Sequence, residues 1–547
     1  MPATVSINSQ AGSFAAGVTL FDAAESLGIN VPSSCRKQGK CRECLMEVVG
    51  GMEYLAPRGE SECHLKGSFR LSCCTRLAND SGDVRCHTLR RATMQVEDQA
   101  MNLPNCARLD RFDPAVTRDG NRILLDGREI ARSTGPLLGL ALDLGTTTIV
   151  VRAVDLETGR SVGSAAFENP QRFGGTDVMA RIQYDTDHPG HLLQRTLIGY
   201  LSRAIRQLPV DPRSIYEIVI VGNTTMRDLF LGFDVRSIGQ KPYWSQTEHA
   251  YRTGETSTTA VSRCARELHL PCHPEARLYA LPIVGSHVGG DAAACLLAVA
   301  PHLGDELVAI MDIGTNTELF VGNRQKLLAA SCPAGPAFEG HAVSCGMPGL
   351  DGAIERIRLP DAGPPELRVI GNARAEGICG SGLVDLLSEL RRTDRMNEYG
   401  RFEDGSPEFA VCADSGIVFR ESDVNELAQA KGANVAGLLI VAKAYGITLN
   451  QLDRFYLAGG FGRHLDLGAA RRIGLIPNLP DEKIVQIGNA AIEGARLALL
   501  SVSLRQELEE RVKTIRHIEL ETDPDFFDHF VQGCQLSPFG TWGAVGP

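Results

Sequence analysis

Four cysteines near the start of the sequence have a spacing that suits a metal cluster. Five residues separate Cys35 from Cys41, two separate Cys41 from Cys44, and Cys73 follows after a further 28. Three thiolates from one loop and a fourth from a distant segment form the ligand pattern of a [2Fe–2S] cluster. Zinc sites more often use two C-x2-C pairs, and only Cys41 and Cys44 form such a pair. The spacing therefore favours iron and sulfur over zinc.

The fourth ligand is the least determined of the set. Cys63, Cys74 and Cys86 compete with Cys73 for this role. Residues 70–73 read Arg-Leu-Ser-Cys, which resembles the Arg-Leu-x-Cys ending of ferredoxins and favours Cys73. Cys74 is then a neighbouring thiol. Gly39, within the cysteine loop, is expected to let backbone N–H groups turn toward the sulfurs.

The segments around the cysteines predict a small α/β domain. Residues 4–7 and 45–49 alternate as strands do, and residues 18–27 have apolar residues at helical spacing with Thr19 as a candidate cap. The loop has one residue more than the plant-type spacing, as in ferredoxins of the adrenodoxin type. Residues 1–88 resemble the β-grasp ferredoxin fold.

A second chemical pattern is a pair of matching turns about 170 residues apart, an interval that fits two lobes. Residues 141–148 read ALDLGTTT and residues 310–317 read IMDIGTNT, so each turn follows an apolar strand. Backbone N–H groups and hydroxyls in such turns surround phosphate oxygens, and the aspartate positions Mg²⁺ or the attacking water. We assign to these two loops Asp143, Gly145, Thr146, Thr147, Asp312, Gly314, Thr315 and Asn316.

A third segment completes the pattern of a nucleotide site. Residues 453–462 read DRFYLAGGFG, an apolar strand that runs into a glycine-rich turn with Gly459, Gly460 and Gly462. The order of the three segments resembles that in the actin, Hsp70 and sugar-kinase (ASKHA) superfamily. In that superfamily the first two segments bind phosphates and the third segment approaches adenosine. Residues 377–382, GICGSG, resemble the helix-start loop of that superfamily. The alternative is a helix start crowded against another backbone.

One acidic residue is a candidate for orienting the attacking water. Glu318 directly follows the second phosphate loop, and the alternative is a surface charge at a strand end. Asp143 and Asp312 are the other candidate catalytic residues. His464, after the glycine turn, is expected to be structural.

Composition narrows the class of protein. The chain has 547 residues, so two to four domains are expected. A net charge of −11 argues against nonspecific nucleic-acid binding. No apolar run reaches the roughly 18 residues of a membrane span, and no signal peptide is evident, so a cytoplasmic protein without a membrane partner is expected. The sixteen cysteines are expected to be reduced or metal-bound.

The predicted fold class is α/β. A β-grasp [2Fe–2S] ferredoxin domain occupies residues 1–88, and a two-lobed actin-like ATPase core occupies residues 137–547. Residues 89–136 carry scattered arginines and little apolar periodicity, which predicts a linker with some local structure, including a short hairpin near residues 121–127. Such a linker would give the ferredoxin domain reach.

The combination resembles the reductive activators of corrinoid proteins, over residues 1–88 and 137–540. Ferredoxin cysteines and actin-like phosphate loops rarely share one chain. Four further segments carry the likeness, namely residues 221–226 (VGNTTM), 334–340 (AGPAFEG), 473–477 (IGLIP) and 488–491 (GNAA).

This resemblance implies an ATP-hydrolysing iron–sulfur reductase. Its [2Fe–2S] cluster would deliver one electron to inactive Co(II) in a corrinoid methyltransferase protein and regenerate Co(I). ATP and Mg²⁺ would drive this uphill transfer by opening and closing the two lobes, and a low-potential donor would reload the cluster. A homodimer is compatible with the resemblance.

Three other classes compete with this interpretation. An activator of a radical dehydratase would share a [4Fe–4S] cluster between subunits and lack the ferredoxin domain. A redox-gated Hsp70-like binding module would need a peptide-binding domain, and the given sequence shows none after residue 540, which disfavours this interpretation. A fused small-molecule kinase would need a base beside its acceptor hydroxyl, and no residue is an obvious candidate.

Overall fold

The chain forms two compact units, each built on its own mixed sheet. The structure is a computed structural model, and it describes residues 2–8, 10–29, 31, 33, 35, 37–40, 43–89, 91–92, 112–299, 303–340, 342–361, 363–460, 462 and 465–540. The first unit comprises Met1–Val96, Pro114–Glu255 and Val261–Ala280. The second comprises Glu97–Asp113, Thr256–Ala260 and Leu281–Pro547.

The N-terminal part of the first unit is a five-stranded sheet crossed by one helix. Its elements are β1 (Ala3–Ile7), β2 (Gln10–Phe14), α1 (Leu20–Ser26), β3 (Leu45–Gly50), β4 (Phe69–Leu71) and β5 (Asp83–Thr88). The strand order is β2-β1-β5-β3-β4, and only β1 and β5 pair in parallel. Thr19 caps α1 by accepting a hydrogen bond from the Asp22 N–H at 3.0 Å. The predicted β-grasp fold is confirmed.

A buried ion pair ties the segment before β4 to the chain that leads to Cys73. Glu62 accepts two hydrogen bonds from the Arg70 guanidinium, at 2.9 and 3.0 Å, and a third from the Leu71 N–H at 2.9 Å. Burial opposes ionisation of Glu62, but the bonds from Arg70 and Leu71 prevail and lower its pKa. A buried ion pair of this kind adds little net free energy of folding, because desolvation of the two charges offsets their attraction. Its main effect here is to hold the two segments in one geometry.

The predicted linker contains ordered strands in its described part. A two-residue strand, β6 (Arg91–Ala92), pairs antiparallel with Ala166 and Phe167. Residues 93–111 lie outside the described residues. A three-stranded antiparallel sheet follows, made of β7 (Val116–Asp119), β8 (Arg122–Leu125) and β9 (Arg128–Arg132). The turn between β8 and β9 uses Asp126 and Gly127, both with positive φ, so the hairpin falls where the sequence predicts one.

The rest of the first unit is a mixed sheet with helices. Its strands are β10 (Leu138–Leu144), β11 (Thr148–Asp155), β12 (Ser161–Glu168), β13 (Ile215–Val221), β14 (Val261–Cys264) and β15 (Arg277–Ala280). Its helices are α2 (Val178–Asp187), α3 (Leu192–Gln207), α4 (Thr224–Leu231) and α5 (Gln246–Arg252). The strand order is β14-β15-β13-β10-β11-β12-β6, with β13 parallel to both β10 and β15.

The second unit repeats this plan. Its main sheet has the order β25-β24-β16-β17-β18-β26, formed by β16 (Val308–Ile313), β17 (Thr317–Gly322), β18 (Leu327–Cys332), β24 (Arg454–Ala458), β25 (Ile484–Gly488) and β26 (Arg516–His517). In both units, three consecutive strands form an antiparallel meander, and a parallel strand pairs with the outer side of its first strand. This strand is β13 beside β10 in the first unit and β24 beside β16 in the second. This repetition is the two-lobed actin-like core that the sequence predicts.

Smaller sheets and helices complete the second unit. The strands are β19 (Ala353–Arg358), β20 (Glu366–Val369), β21 (Gly377–Ile378), β22 (Glu408–Cys412) and β23 (Ile417–Arg420). The helices are α6 (Gly290–Val299), α7 (Gly380–Arg392), α8 (Glu421–Tyr445), α9 (Leu467–Arg472), α10 (Ala490–Leu500), α11 (Val502–Val512) and α12 (Phe526–Cys534). Among the residues that the structure describes, no helix is both long and apolar enough to cross a membrane.

Replacing Glu62 by glutamine should destabilise the N-terminal domain. The change leaves the Arg70 guanidinium buried without its counter-charge, which costs about 3–5 kcal/mol. Glu60 lies in the same short helix but is exposed, so Glu60→Gln is the matched control. Hydrogen exchange of β3 and β4 in the full chain measures the effect. Equal protection in the two variants would contradict it.

Candidate functional site

Cys44 and Cys73 are brought together by strand pairing. Leu45 and Leu71 are direct partners in the antiparallel pair of β3 and β4, so the cysteines flank the same end of that pair. Their Sγ atoms lie 3.3 Å apart, and the residues are 0% and 7% exposed. The Ser72 N–H and hydroxyl both donate to the Cys44 carbonyl oxygen, at 2.8 and 2.9 Å. Two of the four predicted ligands thus share one buried position.

The other candidate thiols differ in their surroundings. Cys74 Sγ lies 3.7 Å from Cys73 Sγ, Cys63 is exposed, and Cys86 is buried within β5. Cys35 is half-buried, and Cys41 lies outside the described residues. Within the described part of the chain, no group of three or more Cys, His, Asp or Glu residues is already arranged around a metal position.

The donor set nevertheless fits an iron–sulfur cluster. The Gly39 backbone has φ +70°, and a Cβ there would lie 2.8 Å from Cys74 Sγ, so the loop can pass this close to the thiols only with glycine. The Gly39 N–H also donates to Cys73. The thiol–thiol hydrogen bond shared with Cys44 and burial raise the pKa of Cys73, and burial with the nearby Cys73 raises the pKa of Cys74 to about 12. Such thiols become thiolates only when a metal replaces their protons.

The first predicted phosphate loop is the turn between β10 and β11. Asp143 lies in β10 opposite Val150, and Gly145, Thr146 and Thr147 form the turn. A Cβ on Gly145 would lie 2.4 Å from the Thr148 carbonyl oxygen, so this turn requires glycine. Both threonines are buried. The turn therefore presents a fixed backbone, which a phosphate-binding loop needs.

Three polar side chains that we did not select from the sequence hold this loop. The Asn169 amide donates to the Gly145 carbonyl at 2.8 Å, and the Asn169 N–H donates to the Thr147 carbonyl at 2.7 Å. Arg181, fully buried, donates to the Thr146 carbonyl at 2.6 Å. Asn223 donates to Thr146 Oγ1 at 2.9 Å and caps α4. Only Asn223 had a sequence signal, because it belongs to the VGNTTM segment.

The second phosphate loop, between β16 and β17, has an acidic environment within its own unit. Thr315 Oγ1 donates to Glu339 Oε2 at 2.5 Å, and the Gly314 N–H donates to the Asn316 carbonyl at 3.2 Å. Asp312 and Glu318 are direct partners across the hairpin. Burial, followed by the charges of Asp291 and Asp312, raises the pKa of Glu318 well above its usual range.

The position of Glu318 bears on its predicted role. The residue is 5% exposed and lies in β17, so it is a buried group and not a surface charge. Three mutually repelling carboxylates, on Asp291, Asp312 and Glu318, are stabilised either by protons or by a cation. Burial together with the charges of these neighbours accounts for the raised pKa of Glu318.

The glycine turn after β24 packs against the second phosphate loop. Gly459 has φ +107°, and a Cβ there would lie 2.3 Å from the Ile313 carbonyl oxygen. A Cβ on Gly460 would meet nothing within 4 Å, and one on Gly462 would first meet Leu457 at 3.5 Å. The glycines thus differ: Gly459 closes the turn, and Gly460 leaves space. Phe461 and His464 lie outside the described residues.

The GICGSG segment is explained by packing. A Cβ on Gly382, in the first turn of α7, would lie 2.3 Å from the Ile354 carbonyl oxygen of β19. The helix start is therefore crowded against another backbone, which is the alternative considered for this segment.

Fold and site together define a class: a ferredoxin domain joined to an actin-like (ASKHA) ATPase core. Three family models match the chain in order. They are the 2Fe-2S iron-sulfur cluster binding domain (residues 5–78), the RACo middle region (138–303) and the C-terminal domain of RACo, described as the ASKHA domain (306–541). The chain belongs to the family of RACo-type reductive activators that these models describe.

Individual relatives agree with this assignment. The chain is 27% identical to the corrinoid activation enzyme RamQ of Eubacterium limosum, over 94% of this chain and 95% of that one. It is 25% identical to the [Co(II) methylated amine-specific corrinoid protein] reductase of Methanosarcina barkeri, over 73% and 77%. A solved reductive activator for a corrinoid, iron–sulfur protein superposes with a TM-score of 0.72 at 28% identity, over 98% of both chains.

Serine at position 73 should abolish the visible absorption of the cluster, and serine at position 74 should spare it. Cys73 Sγ lies beside the fully buried Cys44 Sγ, whereas Cys74 is a half-buried neighbour. Anaerobic reconstitution with iron and sulfide, followed by absorption and EPR spectroscopy, measures both variants. Loss of the spectrum in Cys74→Ser but not in Cys73→Ser would reverse the assignment.

Alanine should be much worse at position 459 than at position 460. The Gly459→Ala Cβ would overlap the Ile313 carbonyl and force a strained positive φ, whereas the Gly460→Ala Cβ enters open space. We expect Gly459→Ala to lose about 1–3 kcal/mol of unfolding free energy and Gly460→Ala less than about 1 kcal/mol. Chemical denaturation of the two variants tests the difference, and equal losses would contradict it.

Proposed function

We propose that this protein uses ATP to reduce Co(II) to Co(I) in a corrinoid protein, one electron at a time. The observation that carries the proposal is the union, in one chain, of a ferredoxin domain with paired phosphate-loop units, matched nearly end to end by a corrinoid activation enzyme. The relatives with printed activities act on corrinoid proteins. The same partner class is therefore proposed here.

The electron pathway begins at the cysteines. Cys35, Cys41, Cys44 and Cys73 would hold a [2Fe–2S] cluster, which supplies one electron and is reloaded by an external low-potential donor. The substrate cobalt gains that electron and passes from Co(II) to Co(I), without proton transfer. The cysteine positions after β4 and before β3 keep two ligands in the domain core, where little water reaches them. A homodimer stays a prediction of the resemblance.

The phosphate loops would bind and hydrolyse ATP. Gly145, Thr146, Thr147, Gly314, Thr315 and Asn316 would contact phosphates, and Gly459, Gly460 and Gly462 would approach adenosine. We propose Mg²⁺ as the nucleotide's metal ion, with Asp143 and Asp312 as the candidate catalytic residues. Glu318, ionised once the cation is present, would orient the attacking water. Hydrolysis yields ADP and phosphate, and no group is transferred to the corrinoid.

An anaerobic assay tests the proposal. The protein is mixed with a Co(II) corrinoid methyltransferase protein from the same source, a low-potential reductant and MgATP, and the Co(I) absorption band is followed. We expect the band to rise with ATP. Asp143→Ala and Asp312→Ala should abolish ATP turnover and the ATP-dependent rise while leaving the cluster spectrum intact.

Two outcomes would contradict the proposal in different ways. If the intact protein hydrolyses ATP but reduces no Co(II) protein, the partner class is wrong. If either aspartate variant keeps wild-type ATPase activity, the assignment of that phosphate loop is wrong.

A further inference from the structure

The ferredoxin domain packs directly on the ATPase part of the first unit. Tyr184 of α2 donates its hydroxyl to the His64 carbonyl oxygen at 2.5 Å, and Tyr200 of α3 donates to the Glu43 carbonyl oxygen at 2.5 Å. Tyr184 is 0% exposed, so its hydroxyl bond is formed away from water. Glu43 immediately precedes Cys44, which places this contact next to the cysteine loop.

Aromatic and charged contacts extend the same interface. The Phe173 ring packs edge-on to both His64 and Tyr184, with centroids 5.8 and 5.5 Å apart. Lys66 Nζ lies 5.2 Å from the centroid of the Tyr184 ring. Arg172 pairs with Glu47 at 3.5 Å, and its guanidinium lies over the Phe69 ring at 5.6 Å. The side chains of residues 172–200 thus form a specific docking face for the ferredoxin domain.

The same segment also holds the first phosphate loop. Asn169, which binds the Gly145 and Thr147 backbone, caps the short helix Pro170–Gly174 that carries Arg172 and Phe173. Arg181, which binds the Thr146 carbonyl, lies one helical turn before Tyr184 on α2. Residues 169–184 therefore connect the phosphate loop to the ferredoxin domain by two short routes, each through one short helix.

The hydrogen bonds suggest how phosphate binding could affect the docking face. A phosphate that accepts from the loop N–H groups polarises those peptides and strengthens the bonds that their carbonyls accept. Here the carbonyls of Gly145, Thr146 and Thr147 accept from Asn169 and Arg181. A bound phosphate should thus order the segment that presents Arg172, Phe173 and Tyr184. Ordering that face lowers the entropy cost of docking.

We propose that residues 169–184 couple the first phosphate loop to the ferredoxin domain, so that nucleotide binding strengthens docking of this domain on its own ATPase lobe. This inference rests on the proposed function, because it takes the loop to bind nucleotide phosphates. Coupling between two binding events is reciprocal. Docking must therefore raise nucleotide affinity by the same factor, although no ferredoxin residue needs to touch the nucleotide.

A double variant, Tyr184→Phe with Tyr200→Phe, tests the coupling in the full holoprotein. It removes two hydroxyls and keeps both rings, so folding is preserved. The matched control is Tyr216→Phe, a buried tyrosine of the same unit whose ring packs on His273. Hydrogen exchange of residues 43–50 and 60–71 reports docking. Calorimetry with the magnesium complex of a non-hydrolysable ATP analogue gives the dissociation constant.

We expect the double variant to exchange faster at both segments and to bind the analogue about five- to tenfold more weakly, within the usual range of allosteric coupling. In wild type, the analogue should slow exchange at residues 60–71. The control should match wild type in both measurements.

Three results would overturn the inference. Unchanged exchange in the double variant would show that these hydroxyls do not hold the interface. Faster exchange with unchanged nucleotide affinity would show docking without coupling. If a bound analogue left hydrogen exchange at residues 60–71 of the wild type unchanged, nucleotide binding would not be coupled to docking. Failure of wild type to bind the analogue at all would instead refute the nucleotide assignment in the proposed function.

Discussion

The close approach of one backbone to another, possible only at glycine, is the constraint on which the first predicted phosphate loop and the glycine turn after β24 depend. Gly145 lies against the Thr148 carbonyl and Gly459 against the Ile313 carbonyl, and a Cβ at either position would come within 2.4 Å of the carbonyl oxygen. These contacts close the turns directly after β10 and β24. Because the turns cannot widen, Thr146 and Thr147 stay buried beside the strand that carries Asp143. The two main sheets therefore hold the turns after β10 and β24 in fixed positions at the ends of their strands.

The second constraint is electrostatic, and it differs between the two predicted phosphate loops. The first loop is surrounded by donors, namely Asn169, Arg181 and Asn223, whereas the second lies among carboxylates. Buried carboxylates close to one another cannot all ionise without a compensating cation. The raised pKa of Glu318 expresses this cost. A cation that approached the second loop would therefore favour the ionised form of Glu318.

Local patterns made most of the fold predictable. The two Asp-x-Gly-Thr turns and the Thr19 cap each lie within a few residues, so their local sequence indicates a strand-to-strand turn or a helix start. The contacts of Tyr184 with His64 and of Tyr200 with Glu43 join residues 120 and 157 positions apart. Single polar residues such as Asn169 and Arg181 have no periodicity to reveal them. The pairing of β6 with β12 likewise joins residues far apart in the chain, so no local pattern announces it.

The docked ferredoxin domain bears on how ATP could control an electron. A ligand shifts the equilibrium between a docked and an undocked ferredoxin domain only by its difference in affinity for these two states. A coupling factor of about 5–150 moves a population substantially, but a change from 1:99 to 99:1 needs about 10⁴. Nucleotide acting through residues 169–184 would therefore bias the position of the ferredoxin domain without fixing it. The remaining selectivity must come from a second ligand that distinguishes the two positions. In the proposed reaction that ligand is the Co(II) corrinoid protein, so the electron would leave only when nucleotide and partner are bound together.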